Sequence, residues 1–232
     1  MSKDHHYDLV VVGGGPAGSS AAFAAAKNGV KVALIEKENS IAETVRTSGV
    51  TWIESIKEFG IPENCYNPIK NFSFVSPNNE VTISDSVATA AVLDVRKTYR
   101  WLSNEAKKKG VDIFVKTNIN EVIKNEKNDI VGVSGTGIHG KIAFHSKVVI
   151  DATGFTSTIA KAMGFVTQWE RFGAGAEYEA EVEKVDSETW WLMVGQEYTP
   201  AGYAWIFPLG NNIVRIGVGV GKPESDVDPT ER

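Results

Sequence analysis

Apolar residues first gather at Leu9–Val12, and the run breaks at once into Gly13-Gly14-Gly15-Pro16-Ala17-Gly18. So short an apolar run leading into a glycine turn is the pattern of a strand. The small residues that follow predict a helix closed by Gly29, and a second apolar run ends at Glu36. The first forty residues therefore read as strand, turn, helix, strand.

Further along, Trp52, Ile53, Ile56 and Phe59 recur at helical spacing until Gly60-Ile61-Pro62 stops them. Residues 72–75 and 81–84 predict a hairpin across Ser76-Pro77-Asn78-Asn79. Residues 93–109 predict a helix with Leu102 and Ala106 inward, followed by a strand over 111–115, a second helix-to-strand crossover of a layered α/β domain. A meander of strands is expected over 119–124, 130–134, 141–144 and 147–150, with Gly135-Thr136-Gly137 as a hairpin turn. Its last strand ends in Asp151-Ala152-Thr153-Gly154 and enters a short helix over 157–163, which offers backbone amides to a ligand at the sheet's carboxyl edge.

The pattern changes character after Gly164. Ala176, Tyr178, Ala180 and Val182 alternate with Glu177, Glu179, Glu181 and Glu183, the signature of a strand with one solvated acidic face rather than a metal site. Tyr203, Trp205 and Phe207 share one face of a later strand. Such a row is either the core face of a sheet or the wall of a cavity for an apolar ligand. Gly217-Val218-Gly219-Val220-Gly221 is followed by Lys222-Pro223 and cannot open a helix, so it is no second nucleotide turn.

The first turn carries the clearest chemistry. Gly13 can take the angles of a sharp turn, Gly15 lets the main chain approach a pyrophosphate, and Gly18 lets the helix lie close on the strand. Pro16 occupies a first-turn position where its missing N–H costs nothing, and the positive helix end favours an anion. Glu36, placed to accept from a ribose 2′-hydroxyl, would repel a 2′-phosphate, so the adenosine is that of FAD or NAD rather than NADP. Arg46-Thr47-Ser48-Gly49 precedes the next helix as a second run of donors; it is either an N-cap by Thr47 or Ser48 or a cofactor contact.

Composition narrows the classes. A net charge of −5 over 232 residues, with no basic cluster except Lys107-Lys108-Lys109 at a helix end, argues against nucleic acid. No apolar run reaches membrane-spanning length and no leader pattern opens the chain, which predicts a cytoplasmic protein. A single cysteine, Cys65, excludes an internal disulfide and a cysteine metal cluster. His5 and His6 fall in a short polar leader and are expected in solvent.

Taken together, GGGPAGSSAA with IEK, RTSG, VVIDATG with STIAKAMG, and YAWIFPLG resemble the FAD-dependent geranylgeranyl reductase family over nearly the whole chain. The nucleotide turn is common to many flavoproteins, whereas YxWxFPxG is far more specific. The resemblance implies a mixed α/β fold of the para-hydroxybenzoate hydroxylase type: a Rossmann-like FAD-binding domain, residues 1–65 and 92–165, with an antiparallel-sheet substrate domain, residues 66–91 and 166–232.

It further implies that Gly13, Gly15, Pro16, Ala17 and Gly18 hold the pyrophosphate and Glu36 the ribose. Lys37, Arg46 and Ser48 are further cofactor candidates, Ala152 and Gly154 would lie near the flavin, and Tyr203, Trp205, Phe207 and Pro208 would line a substrate chamber. Family members saturate isolated double bonds of isoprenoid chains, so the implied partners are an isoprenoid lipid, met by peripheral membrane contact, and an electron donor, NADPH or a ferredoxin.

Three departures stand out. Thr47-Ser48-Gly49 occupies the loop where relatives often carry a cysteine, and Asp94-Val95 stands where many have Asp-Arg. No Gly-Asp dipeptide occurs anywhere, which predicts a C-terminally truncated protein lacking part of its flavin site. The competing expectations are a flavin monooxygenase of the same fold and a non-catalytic nucleotide-binding fragment.

Overall fold

A computed structural model describes residues 3–165 and 169–231 of the chain. In chain order the elements begin β1 (Lys3–His6), β2 (Leu9–Val12), α1 (Pro16–Lys27), β3 (Val32–Ile35), β4 (Val50–Trp52), α2 (Ile53–Phe59) and β5 (Tyr66–Ile69). They continue with β6 (Asn71–Ser76), β7 (Asn79–Ser84), β8 (Ala90–Leu93), α3 (Val95–Lys108), β9 (Asp112–Phe114) and β10 (Asn118–Lys124). Next come β11 (Ile130–Gly137), β12 (Gly140–His145), β13 (Val148–Asp151) and α4 (Thr158–Ala162). The last four strands are β14 (Phe172–Glu181), β15 (Thr189–Val194), β16 (Gly202–Gly210) and β17 (Ile213–Lys222).

By its contacts the chain divides into two compact units, Met1–Val45 with Arg96–Thr167 and Arg46–Val95 with Gln168–Arg232. The division expected from the resemblance differs over residues 46–65 and 92–95. They pack with the second unit because β4 pairs antiparallel with β8. The boundary expected at 165/166 borders residues 166–168, which lie outside the described residues.

The first unit is layered. Its central sheet runs β13-β2-β3-β9, with every pairing parallel. Strand alternation sends Val10, Val12, Ala33 and Ile35 to one face, where they pack with Ile119, Val133 and Phe144 of a second sheet. Leu9, Val11, Val32 and Leu34 go to the other face and meet Ala22 of α1 and Ala106 of α3. Both faces are covered, which is why the strands read as unbroken apolar runs. Ala106 faces inward as expected, joined by buried Ser103, while Leu102 is only half-buried.

The second sheet, β1-β12-β11-β10, changes three expectations. The polar leader is itself a strand, β1, paired parallel with β12, and His5 stacks on Phe144 and meets the edge of Phe114 instead of standing in solvent. Gly135, Thr136 and Gly137 are not the hairpin turn: they lie within β11 opposite Ile142, Lys141 and Gly140, and the chain reverses at Ile138 and His139. Gly135 is small because a Cβ there would lie 1.9 Å from the Asn118 carbonyl oxygen, beside a register shift in β10. Nor is β13 a fourth meander strand, for it pairs parallel with β2 in the central sheet.

The second unit is built on a six-stranded sheet, β14-β17-β16-β15-β6-β7, with a three-stranded sheet, β4-β8-β5. The β6–β7 hairpin lies where the sequence puts it, and all pairings are antiparallel except β15 with β6. Its core joins Ile69, Ala90 and Val92 to Phe72, Trp190, Trp205 and Phe207. α2 ends at Gly60, whose φ of 64° is the left-handed cap expected of glycine. Only Ile56 of the α2 pattern is buried; Trp52 and Phe59 are exposed. Thr47 and Ser48 do not cap this helix, because β4 intervenes and Trp52 occupies the cap position.

Candidate functional site

In the first unit the chain leaves β2 at Gly13, whose φ of 108° is open to glycine alone. A Cβ there would stand 2.2 Å from the Ala152 carbonyl oxygen, and one on Gly18 would stand 1.9 Å from the Gly13 carbonyl oxygen. These two contacts pack α1 against the turn and the turn against the end of β13. Gly15 is different: its backbone is extended, and nothing lies within 4 Å of where a Cβ would point. Pro16 and Ala17 are exposed, Pro16 standing at the helix start, and no acidic side chain occupies the first turn of α1. The first-turn N–H groups and the positive end of a twelve-residue helix thus face an open, glycine-floored approach. These residues fit the pyrophosphate of a dinucleotide.

Glu36 follows β3 at the same edge. Its Oε2 accepts from the Gly14 N–H at 2.8 Å and its Oε1 from the Glu38 N–H at 2.9 Å. The acid is held beside the turn, with lone pairs left for a hydroxyl donor. Lys37 next to it is exposed.

Asp151 organises the second turn. Its Oδ1 accepts from the Thr153 N–H at 3.0 Å and the Thr153 hydroxyl at 2.6 Å, and its Oδ2 from the N–H groups of Ile159 and Ala160 at 2.9 and 2.8 Å. Burial alone would raise this carboxyl, but the bonds from Thr153, Ala160 and Ile159 outweigh it and hold the group below the ordinary carboxylate range. The sequence shows this turn only as a source of backbone amides. The aspartate that fixes its shape, and with it Ala152 against Gly13 and Gly154 at an exposed φ of 64°, becomes visible only in three dimensions.

In the second unit the register places Tyr203, Trp205 and Phe207 of β16 on one sheet face with Gly219, Gly217 and Arg215 of β17, and these with Gly175, Glu177 and Glu179 of β14. The Trp205 indole lies over three glycines: a Cβ on Gly217 would come within 2.2 Å of it, and ones on Gly219 and Gly175 within 3.4 and 3.5 Å. Trp205 and Phe207 are 7% and 3% exposed and belong to the unit's own core, whereas Tyr203 is 49% exposed. Pro208 lies on the opposite face, since alternation along β16 turns it away from its neighbours. Arg46 is exposed and Ser48 half-buried in the loop that enters β4.

The acidic face of β14 is not simply solvated. Arg215, 1% exposed, donates from Nη2 to Glu179 Oε1 at 2.7 Å and from Nη1 to the Ser48 carbonyl at 2.6 Å. Its Nε lies 3.9 Å from Glu177 Oε1, while Glu177 Oε2 is buried without a hydrogen-bond partner. Burial pushes the Glu177 carboxyl above the ordinary range, Arg215 partly opposing this and Glu179 adding to it. The signal in the sequence was Arg215 itself, a cation at an inward position of an apolar strand. Among the described residues no group of three or more His, Cys, Asp or Glu side chains has the arrangement of a metal site, and no helix is long and apolar enough to cross a membrane.

Two family matches cover the chain. Residues 8–197 match the family described as FAD dependent oxidoreductase, and residues 173–231 match the geranylgeranyl reductase catalytic domain. A digeranylgeranylglycerophospholipid reductase of Methanocaldococcus jannaschii is 37% identical over 221 residues, which cover 92% of this chain and 55% of that protein. One from Methanococcoides burtonii is 32% identical, with 92% and 54% covered. A solved structure from Thermoplasma acidophilum, described as geranylgeranyl bacteriochlorophyll reductase-like, superposes with a TM-score of 0.85 at 28% identity, covering 94% of this chain and 57% of its own. The chain spans about half the length of the curated relatives it matches. The resemblance and the mixed α/β fold expected from the sequence motifs are borne out, and the chain belongs to the FAD dependent oxidoreductase family.

Proposed function

We propose that this chain serves a flavin-dependent reductase that saturates isolated carbon–carbon double bonds in the geranylgeranyl chains of membrane lipids. One observation carries the proposal: the residues matching the geranylgeranyl reductase catalytic domain, 173–231, include β14, β15, β16 and β17, whose shared face bears the row Tyr203, Trp205 and Phe207.

On this proposal the open turn at Gly13, Gly15, Pro16, Ala17 and Gly18 takes the FAD pyrophosphate and Glu36 takes a ribose hydroxyl. Lys37, Arg46, Ser48, Ala152 and Gly154 are further candidates for contact with the cofactor. When bound, FAD supplies the hydride equivalent that an unpolarised alkene needs. The protein's own task is to orient the chain and exclude water. Tyr203 offers a half-exposed aromatic surface to an isoprenoid chain, and Trp205 and Phe207 stiffen the face from within. The electron donor is a nicotinamide or a ferredoxin, and a lipid substrate calls for peripheral contact with a membrane.

The test is direct. Purified protein is incubated with FAD, freed of excess and reduced anaerobically with dithionite in the presence of a geranylgeranyl glycerophospholipid. Retained flavin absorbance and a lipid mass gain of two hydrogens per double bond are expected. Protein that stays colourless, or lipid that stays unsaturated, would rule the proposal out for this chain.

A further inference from the structure

Glu177 sits opposite Gly217, and Gly217 opposite Trp205, so the three lie in register across β14, β17 and β16 on the aromatic face. Gly217 contributes no side chain between them, and the indole lies over that space. The Glu177 side chain is 20% exposed, and its Oε2 is buried with no hydrogen-bond partner.

Among the described residues, Arg215 is the cation placed beside Glu177, and its terminal nitrogens are already engaged. Arg215 is paired through Nη2 with Glu179 at 2.7 Å and spends its other terminal nitrogen, Nη1, on the Ser48 and Leu93 carbonyls at 2.6 and 3.5 Å. At 3.9 Å its Nε is too far from Glu177 for a hydrogen bond. A second carboxylate here would be surplus negative charge beside Glu179 in a partly dry site, and the neutral acid avoids that cost. As a neutral acid Glu177 carries an O–H donor.

We propose that Glu177 is the proton donor of the reduction. This rests on the reductase function proposed above, with the alkene held against the Tyr203–Trp205 face. In the step, the Glu177 O–H bond breaks as a C–H bond forms at one alkene carbon. The neighbouring carbon would take a hydride, with its two electrons, supplied by reduced FAD, which would end oxidised. The new Glu177 carboxylate faces Arg215, whose positive charge limits the cost of forming it, and regains a proton from water through its exposed fifth.

Two measurements test the assignment independently. Infrared spectroscopy at pH 7 should show a protonated-carboxyl C=O band in the wild-type protein that vanishes in Glu177→Gln; a wild type without that band overturns the proposal whatever the activity. In anaerobic single turnovers of dithionite-reduced, FAD-loaded protein with geranylgeranyl glycerophospholipid, Glu177→Gln should slow lipid saturation about 100-fold or more. Flavin content should stay at the wild-type level, and Glu177→Asp should recover part of the rate with a solvent deuterium isotope effect retained. A Glu177→Gln protein that keeps the wild-type rate would overturn the proton donor and leave the reductase function standing. A wild type that retains flavin but saturates no lipid would overturn both.

Discussion

Gly18 stands against Gly13 so closely that a Cβ on the first would lie 1.9 Å from the carbonyl oxygen of the second, whereas Gly15 between them has open space on its free side. The same six-residue turn therefore serves two purposes, packing and access. Gly18→Ala should destabilise the fold by about 1–3 kcal/mol, because backbone has to move to admit the methyl. Gly15→Val should leave thermal unfolding almost unchanged, since its backbone is extended and its surroundings open, yet abolish flavin retention. Melting curves and the flavin absorbance of desalted protein separate the two. Unchanged flavin in Gly15→Val would make the turn structural only.

On the aromatic face the burial difference between Trp205 and Tyr203 sets opposite expectations. Trp205→Ala should cost about 3–5 kcal/mol in urea unfolding, as deletion of a core indole leaves a cavity over Gly217. Tyr203→Ala, at a half-exposed position, should cost under about 1 kcal/mol and register mainly in lipid turnover. A stable Trp205→Ala protein would show the face to be loosely packed.

Asp151 ties its turn to α4, and its carboxyl lies below the ordinary value of 3.8 because the bonds from Thr153, Ala160 and Ile159 outweigh burial. A depressed carboxyl contributes stability that is present above the unfolded value and lost as pH falls through the folded one. Asp151→Asn should therefore be destabilised by about 1–3 kcal/mol at pH 7, with the gap to wild type closing below pH 3.8. Paired thermal melts at pH 7 and at acid pH check this; a constant gap would remove charge from the explanation.

Glu177 behaves with the opposite sign. Burial raises its carboxyl above 4.5, so its contribution is full below that value and is lost as pH rises through the folded value. Glu177→Gln does not titrate and should gain stability relative to wild type as pH climbs from 4.5 towards neutrality. Melting temperatures of the pair across that window provide the measurement, and parallel curves would show that the carboxylate is solvated after all.

The opening segment of the first unit was legible because its signals are local. Glycine spacing, two unbroken apolar runs and an acid after the second describe one continuous segment, and that segment folds as written. The second unit was legible in its strands but not in its charges. Alternation revealed that Glu177 and Glu179 share a face, yet whether that face meets water depends on Arg215, 36 residues beyond Glu179. Thr47 and Ser48 failed as helix caps for a similar reason, since β4 forms only by pairing with β8 across the intervening hairpin. His5 entered the interior because β12, far along the chain, offered it Phe144.

That last pairing has a consequence for how the molecule is made. Within this chain β1 is made well before its partner strand, which begins at Gly140, so its backbone amides wait for more than half the chain to follow. β6 waits likewise for β15. Each unit is interrupted by the other, and neither closes until the second segment of each has been synthesised. Contacts so distant in sequence favour slow, late folding over strand-by-strand growth. Nascent chains released at increasing lengths should thus gain protease resistance in two late steps, the first after α4 and the second after β17.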